Sequence, residues 1–394
     1  MINKRYKNTR SIESMRRMVV FNPVNNLKEM EESMQDSLSK GMEEAVIEEE
    51  NLQRTYIKTF MIESNQNINN IKLPEELSGS SITDTDDKNL KLVKIPNEGK
   101  TEINYLDISN ARFWLLHTSS ESRVIRNFVK TLITKNHSLL DFSWFPSSFL
   151  EEKCNFGKGN GFHLKYRNNF FRDEIEELVE NSKEINYLKE FSMLFWGGRP
   201  NDILKSLRNN TELVSGITLT QIKQIFNTKL GYINENIGNS GIFTLTKGDS
   251  IPTYFLSINK VREGYTNVIN KIEKEYMIKL SRAENRLNIE GTYAVIELKK
   301  PIENFELFIK GLFSTVEPFR LFGLPEVVEK DFIKVSAVDL HTNDKLNFEI
   351  TPDYIRVFLY ENACGNVLTR LITNLQLYYD SRITLVGYDN ERLI

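Results

Sequence analysis

The segment FIKVSAVDLHTNDKLNFEI, residues 332–350, is the most informative stretch for the fold. Apolar and polar residues alternate on both sides of the polar run HTND at 341–344. Alternation with a period of two predicts β-strands, and a short polar break between two such runs predicts a hairpin. We therefore expect strands at 332–340 and 345–350, joined by this turn.

The segments around this hairpin alternate between strand and helix patterns. They are a strand at 292–299, a helix at 302–313, a strand at 354–360, a helix at 365–379 and a strand at 382–386. This order is similar to the split βαβ arrangement of ferredoxin-like folds, with one additional strand before the second helix. Because residues 251–286 also have a helical pattern, we expect residues 251–394 to form a long helix followed by a ferredoxin-like domain.

The rest of the chain divides into three segments. Residues 1–66 are predicted to be a basic arm followed by an amphipathic helix, and residues 67–100, rich in Ser and Asp, a linker. Residues 101–250 combine strand and helix patterns and are predicted to form a mixed α/β domain. No internal repeat is evident. The predicted fold class is thus α+β, with a helical N-terminal extension.

The composition bounds the function classes. The 394 residues include 51 Lys and Arg against 54 Asp and Glu, a formal net charge of -3, so the chain lacks the basic excess of a dedicated nucleic-acid binder. Its two cysteines, Cys154 and Cys364, and its four histidines lack the close spacing of a zinc site, so no metal site and no resident cofactor are predicted. No segment resembles a membrane span or a signal peptide, and we expect a cytoplasmic protein without a membrane partner.

The N-terminal segment offers two candidate binding elements. Lys4, Arg5, Lys7 and Arg10 form a basic arm that is a candidate for contact with nucleic acid. Apolar residues then recur every four positions and predict one apolar helix face: Met30, Met34, Leu38, Met42 and Val46. This face can bind a protein partner, pair with a second copy of the chain, or pack on the body of the same chain.

The run VIELKK at 295–300 is a candidate catalytic motif. Because side chains on a strand alternate, Glu297 and Lys299 are expected on the same face. A carboxylate and an ammonium placed in this way can hold a divalent metal and position a water beside a phosphate. The motif resembles the last motif of the PD-(D/E)xK nuclease family. The resemblance implies a metal-dependent nuclease that uses Mg²⁺.

His117 is a second catalytic candidate. It lies in LLHTSS at 115–120, where a predicted strand gives way to a helix. Functional groups of α/β folds concentrate at such transitions, because the free N–H groups of a helix N-terminus attract anions. The alternative is a histidine that lines the end of a strand for structural reasons.

Two aromatic clusters could stack planar ligands such as bases. The first includes Phe142, Trp144 and Phe145, and the second includes Phe313, Phe319 and Phe322 beside Arg320. On the predicted helix that follows, Arg370, Asn374 and Gln376 lie toward one side and apolar residues toward another. Packing in a core is the alternative for all three groups.

These observations favour a non-catalytic scaffold, adaptor or sensor subunit of an intracellular prokaryotic multiprotein assembly. The richness in Asn, Ile and Lys suggests a low-GC genome or a mobile element, hence a role in antiphage defence. One alternative is a metal-dependent nuclease that uses Glu297 and Lys299. Another is a protein that binds nucleic acid without cleaving it.

Overall fold

A computed structural model of the chain describes residues 21–47, 57–65, 68–167, 190–210, 214–283, 286–388 and 391–394. The fold is α+β. The helices among these residues are α1 (Leu27–Ile47), α2 (Ser122–Lys135), α3 (Ser147–Phe149, continued by a π-helix at Leu150–Cys154), α4 (Pro200–Arg208), α5 (Ile251–Glu275), α6 (Phe305–Leu312) and α7 (Asn366–Tyr378). Short 3-10 turns lie at Ile68–Asn70, Glu75–Leu77 and Val214–Gly216.

The strands form two sheets. The first, eleven-stranded sheet has the order β2-β3-β4-β5-β1-β11-β10-β9-β7-β8, and β6 also pairs with β1. Its strands are β1 (Lys58–Ser64), β2 (Ser81–Asp84), β3 (Leu90–Asn97), β4 (Lys100–Asp107), β5 (Phe113–Thr118), β6 (Leu140–Phe142), β7 (Lys158–Arg167), β8 (Glu190–Trp196), β9 (Thr218–Thr228), β10 (Gly231–Gly238) and β11 (Ile242–Gly248).

The second, eight-stranded sheet has the order β13-β12-β18-β17-β16-β15, and β14 pairs with both β18 and β19. Its strands are β12 (Met277–Ala283), β13 (Arg286–Glu290), β14 (Ala294–Glu297), β15 (Leu321–Glu329), β16 (Phe332–Asp339), β17 (Lys345–Ile350), β18 (Tyr354–Tyr360) and β19 (Thr384–Val386). The expected hairpin of β16 and β17 pairs Ser336 with Asn347.

Both faces of β1 and β5 are buried, because helices cover each side. Phe60 and Ile62 pack with α2 in one apolar cluster. Met61, between them in sequence, points the other way and belongs to the cluster that contains the apolar faces of α1 and α5. Helix α5 begins at a capped end, where Ser250 Oγ accepts a hydrogen bond from Thr253 N at 3.1 Å.

The first half of the chain holds the first sheet and the second half holds the second sheet. Within them, residues 58–142 and 294–386 share one order of strands and of the helix before the last strand, and they differ in that only the second has an α-helix after its first strand. Strand β1 is followed by the meander β2-β3-β4-β5, helix α2 and strand β6, and β1 pairs antiparallel with both β5 and β6. Strand β14 is followed by α6, the meander β15-β16-β17-β18, helix α7 and strand β19, and β14 pairs antiparallel with both β18 and β19. The topology is therefore repeated although no repeat is evident in the sequence.

Two expectations about architecture need correction, and a third is not confirmed. The segment 67–100 holds β2 and β3, which belong to the first sheet, so it is not a linker. Residues 58–64, expected to lie in the N-terminal extension, form the buried strand β1. The C-terminal half has a meander of four sequential strands between its helices, and the ferredoxin-like arrangement is not confirmed.

Candidate functional site

A cavity of about 710 Å³ lies where the two sheets and their helices meet. One wall comes from α2 and from β6 with the residues that follow it. The other comes from α7, residues 317–320 and the turn after β16. We call this cavity the cleft. Its polar and aromatic lining includes Lys130, Asp141, Phe142, Trp144, Glu317, Phe319, Arg320, His341, Arg370, Asn374 and Tyr378.

A buried ion network forms the floor of the cleft. Arg370 of α7 donates to Asp141 Oδ2 at 3.1 Å and also pairs with Asp339 at the end of β16. Burial alone would raise the pKa of Asp141, but His341 and Arg370 outweigh it and hold this pKa below its usual value. Burial alone would lower the pKa of Arg370, and the two carboxylates raise it instead. Arg370 therefore joins the two halves through a charged pair that is excluded from water.

His341 lies beside this network. Its Nε2 is 3.2 Å from Asp141 Oδ1, and its backbone N–H donates to Asp339 Oδ1 at 2.8 Å. His137, just after α2, donates from Nδ1 to the carbonyl oxygen of His341 at 2.7 Å. These contacts fix the turn after β16 against the first half of the chain.

Arg320 differs from Arg370 in having weaker partners. Its guanidinium lies 3.4 Å from His341 Nδ1 and donates to the Leu340 carbonyl at 3.4 Å. No carboxylate forms an ion pair with it among the residues that the structure describes. The charge of this half-buried side chain is thus available to a ligand.

The backbone around Arg320 is held in an uncommon conformation. Arg320 has a φ of 52° and Thr315 a φ of 61°, in the left-handed region that branched side chains rarely adopt. Asn374 of α7 donates to the Pro318 carbonyl at 3.2 Å and so anchors this loop. Non-glycine residues in such conformations cluster at functional sites, where surrounding contacts maintain them.

Aromatic rings and an exposed ion pair complete the cleft. Phe142 and Trp144 meet edge to face with their centroids 6.0 Å apart, and Phe319 and Tyr378 do so at 6.5 Å. At the rim, Lys130 Nζ is 3.7 Å from a Glu317 carboxylate oxygen. Such an exposed pair is worth about 1 kcal/mol or less and can be replaced by a ligand.

The charges of the lining favour an anion. Lys130, Arg320 and Arg370 are three cations, and Asp141 and Glu317 are two carboxylates. Arg370 is already neutralised by Asp141 and Asp339, and Lys130 is paired with Glu317, which leaves Arg320 as the lining cation without a carboxylate partner among the described residues. The volume lies within the range of about 300–1,000 Å³ that is usual for small-molecule sites. The arrangement suits a small anion that also carries a flat ring.

A second cavity, of about 1180 Å³, contains Arg112, Glu273 and Cys364. Arg112 Nε donates to Glu63 Oε1 at 2.9 Å and its NH1 donates to Glu273 Oε2 at 2.7 Å. Cys364 Sγ lies 3.4 Å from each carboxylate oxygen of Glu63. Burial raises the pKa of Glu63 to about 7 and that of the Cys364 thiol well above its usual value. The Cys364 thiol is therefore protonated at neutral pH, and the Arg112 guanidinium is already paired with Glu63 and Glu273.

The predicted catalytic residues lie outside both cavities. His117 is buried on β5, where its Nδ1 is 2.8 Å from Thr59 Oγ1, and burial lowers its pKa to about 4. Its contacts are those of a structural histidine. Glu297 is the last residue of β14, and its Oε2 pairs at 3.0 Å with Nζ of Lys299, which lies just beyond the strand; both side chains are at least one-third exposed. Within the described ranges, no group of three His, Cys, Asp or Glu residues could hold a metal.

The structure corrects part of the prediction that one face of α1 binds a partner. Met30, Met34 and Leu38 are buried in the cluster that α1 shares with α5 and the first sheet, so they are not available to a partner. The side chains of Met42 and Val46 lie outside the described residues, as do Lys4, Arg5, Lys7 and Arg10. Where side chains are described, the helix packs on its own chain.

The sequence contained partial signals for the cleft. Phe142 and Trp144 of the first aromatic cluster, Phe319 and Arg320 of the second, and Arg370 and Asn374 of the C-terminal helix are brought together there. Asp141 and His341 were missed as site residues. Their roles depend on a contact between residues 200 positions apart, which no local pattern encodes.

The chain is thus an α+β protein with a topologically repeated architecture and a charged, aromatic cleft. A family model described as MJECL33-like protein matches residues 18–394, and the chain belongs to this family. It is 27% identical over 390 residues to a Methanocaldococcus jannaschii protein described as "Uncharacterized protein MJECL33", covering 90% of this chain and 91% of that relative. No solved structure matches the chain. In the part of the chain that the structure describes, no helix is long and apolar enough to cross a membrane.

Proposed function

We propose that this protein is a sensor subunit of a prokaryotic assembly and that it binds a nucleotide-like anion in the cleft. The observation that carries the proposal is Arg320, a cation without a carboxylate partner among the described residues, beside four aromatic rings. A guanidinium recognises phosphate oxygens with paired N–H donors, and aromatic faces stack on a base.

The position of the cleft supports a sensing role. Its walls come from both halves of the chain, and Arg370 joins the two halves directly beneath it. A ligand that contacts both walls stabilises one relative arrangement of the halves. A protein partner can then recognise that arrangement.

Binding can be followed by the fluorescence of Trp144, which lines the cleft. The full chain is titrated with ATP, and with adenosine and ribose 5-phosphate as separate ring and anion probes. We expect ATP to quench the fluorescence and to bind more tightly than either fragment. Trp144→Phe should remove most of the signal while calorimetry still detects binding.

The decisive variant is Arg320→Gln. A hydrogen bond to a charged group contributes about 1.5–3 kcal/mol, so ATP affinity should fall by roughly 10- to 100-fold. Arg167→Gln, at an exposed ion pair on β7, is the matched control and should bind as the unchanged chain does. Equal affinity in the Arg320 variant, or no binding of any probe, would contradict the proposal. ATP recovered intact after incubation supports sensing, and its hydrolysis would instead indicate an enzyme.

A further inference from the structure

Strand β13 is the terminal strand of the second sheet. All five of its residues, Arg286–Glu290, are exposed. An edge strand offers unpaired backbone N–H and C=O groups to another strand, and proteins usually protect such edges with charges or a covering element. In β13 the charges lie only at the two ends, and the apolar residues between them, Leu287 and Ile289, are 60% and 67% exposed.

The exposed apolar residues share one face of the β12-β13 hairpin. Leu280 pairs directly with Ile289, and Arg282 pairs with Leu287. Residues two apart on a strand point the same way, so Leu280, Leu287 and Ile289 form one patch. Leu280 is itself 57% exposed. Among the strands that the structure describes, only β12 pairs with β13, so the hairpin presents an edge that no other described strand covers, together with an apolar face.

The sequence of β13 is complementary to itself when read in the opposite direction. Its order, RLNIE, is cation, apolar, Asn, apolar, anion. In an antiparallel pair of two copies centred on Asn288, Arg286 faces Glu290 of the partner subunit. In the same register Leu287 faces Ile289 of the partner subunit. Opposite charges and apolar pairs directly across from one another stabilise antiparallel strands.

We propose that β13 pairs with β13 of a second copy of this chain to form a twofold-symmetric dimer. The interface is isologous, because the same five residues serve both sides. It joins the second sheets of two copies into one continuous sheet. The pairing also brings together six apolar side chains, Leu280, Leu287 and Ile289 from each copy.

The native mass of the full chain tests this pairing. We expect twice the chain mass of 46.0 kDa at micromolar concentration. The double variant Leu287→Lys, Ile289→Lys should give the mass of one chain. The matched control Leu230→Lys changes a side chain that is 60% exposed in the turn between β9 and β10, far from β13 in the fold, and should leave the dimer intact. A chain that is monomeric throughout, or a dimer that survives the double variant, would overturn the proposal.

Charge reversal tests the register. Arg286→Glu places two carboxylates opposite each other at two symmetric positions, and Glu290→Arg does the same with cations. Each should raise the dimer dissociation constant by about tenfold or more, and the combined variant should restore it. Failure of the combined variant to recover would refute this register.

A cysteine at the symmetry axis gives an independent readout. Cα atoms directly opposite in an antiparallel pair are about 4.5–5.5 Å apart, which suits a disulfide. Asn288→Cys should therefore give a covalent dimer on oxidation. Cys154 and Cys364 are buried and provide no competing link. Val327→Cys, 70% exposed on the opposite edge strand β15, is the control and should remain uncrosslinked. Equal crosslinking of both variants would count against the pairing.

Discussion

Glu235 on β10 is a carboxyl group in the core of the first half. Its Oε1 accepts a hydrogen bond from Gln224 Nε2 at 3.0 Å and one from the Ser257 hydroxyl. Burial raises its pKa from 4.5 to about 7, and these hydrogen bonds oppose that rise. Its position on an alternating strand is encoded in the sequence. Its burial is not, since the covering residue Ser257 belongs to α5.

The raised pKa of Glu235 predicts a pH-dependent stability. Between pH 4.5 and 7 the folded chain binds more protons at this site than the unfolded chain does, so stability falls as pH rises through this window. A shift of this size corresponds to a cost on the order of 3 kcal/mol above pH 7. Glu235→Gln should therefore be more stable than the unchanged chain at pH 8, with little difference at pH 4.5.

Urea denaturation at several pH values measures this difference. Glu326→Gln, at an exposed position on β15, is the matched control and should not change the pH profile. A Glu235→Gln variant that is equally destabilised at every pH would show that lost packing or hydrogen bonding, not ionisation, dominates at this site.

At the scale of elements, the apolar face of helix α1 shows what a periodic sequence pattern can predict. It correctly indicated a helix and the side that is apolar. It did not indicate what covers that side, because an apolar face packs equally well on its own chain or on a partner. In the structure Met34 is fully buried against the same chain. The periodic pattern therefore predicts the helix and which of its sides is apolar. Which surface covers that side depends on tertiary packing, which the local pattern does not contain.

Burial of this face predicts that it contributes to stability. Met34→Ala should cost about 2–5 kcal/mol of unfolding free energy, because it leaves a cavity in the core. Asp36→Ala, on the exposed side of the same helix, should change stability by less than about 0.5 kcal/mol. Equilibrium denaturation of the full chain checks both values. A Met34 variant as stable as the Asp36 variant would place this face outside the core.

The segment of β2 and β3 shows why the local sequence predicts a linker where the structure has a strand pair. Leu90, Leu92, Val93 and Ile95 are buried, so an apolar pattern was present. The residues before Leu90 are rich in Ser and Asp, which are typical of turns and loops. This composition outweighs the signal of two short strands, so the segment as a whole has the pattern of a linker. Strand β2 spans four residues and pairs with one neighbour, so its own signal was weak.

At the scale of the whole molecule, the α+β class and the 332–350 hairpin were predictable because both depend on local alternation. The repeated topology was not. It consists of which strands pair, β1 with β5 and β6, and β14 with β18 and β19, and these pairings connect residues far apart in sequence. The cleft lies between the two repeats. Several of its residues can therefore be named as candidates from the sequence, but the sequence does not show that they lie together.

The junction between the halves predicts a large effect of Arg370→Met. Asp141 from the first half and Asp339 from the second then lose their shared cation while they remain buried. Removing one partner of a buried ion pair typically costs about 3–5 kcal/mol, and we expect a loss of this size at pH 7.

The pH dependence of this loss identifies its cause. In the unchanged chain the pKa of Asp141 is lowered, so its stabilising contribution is present above its unfolded pKa near 3.8 and is lost as pH falls through the lowered value. In the variant Asp141 lacks the Arg370 guanidinium and takes up a proton more readily. The gap in unfolding free energy between the two chains should therefore narrow below about pH 4.

Adding Asp141→Asn and Asp339→Asn to Arg370→Met should recover part of the loss at pH 7, because no uncompensated charge is then buried. A loss that is independent of pH and is not recovered by these amides would mean that Arg370 acts through its packing in α7 rather than by joining the two halves through charge.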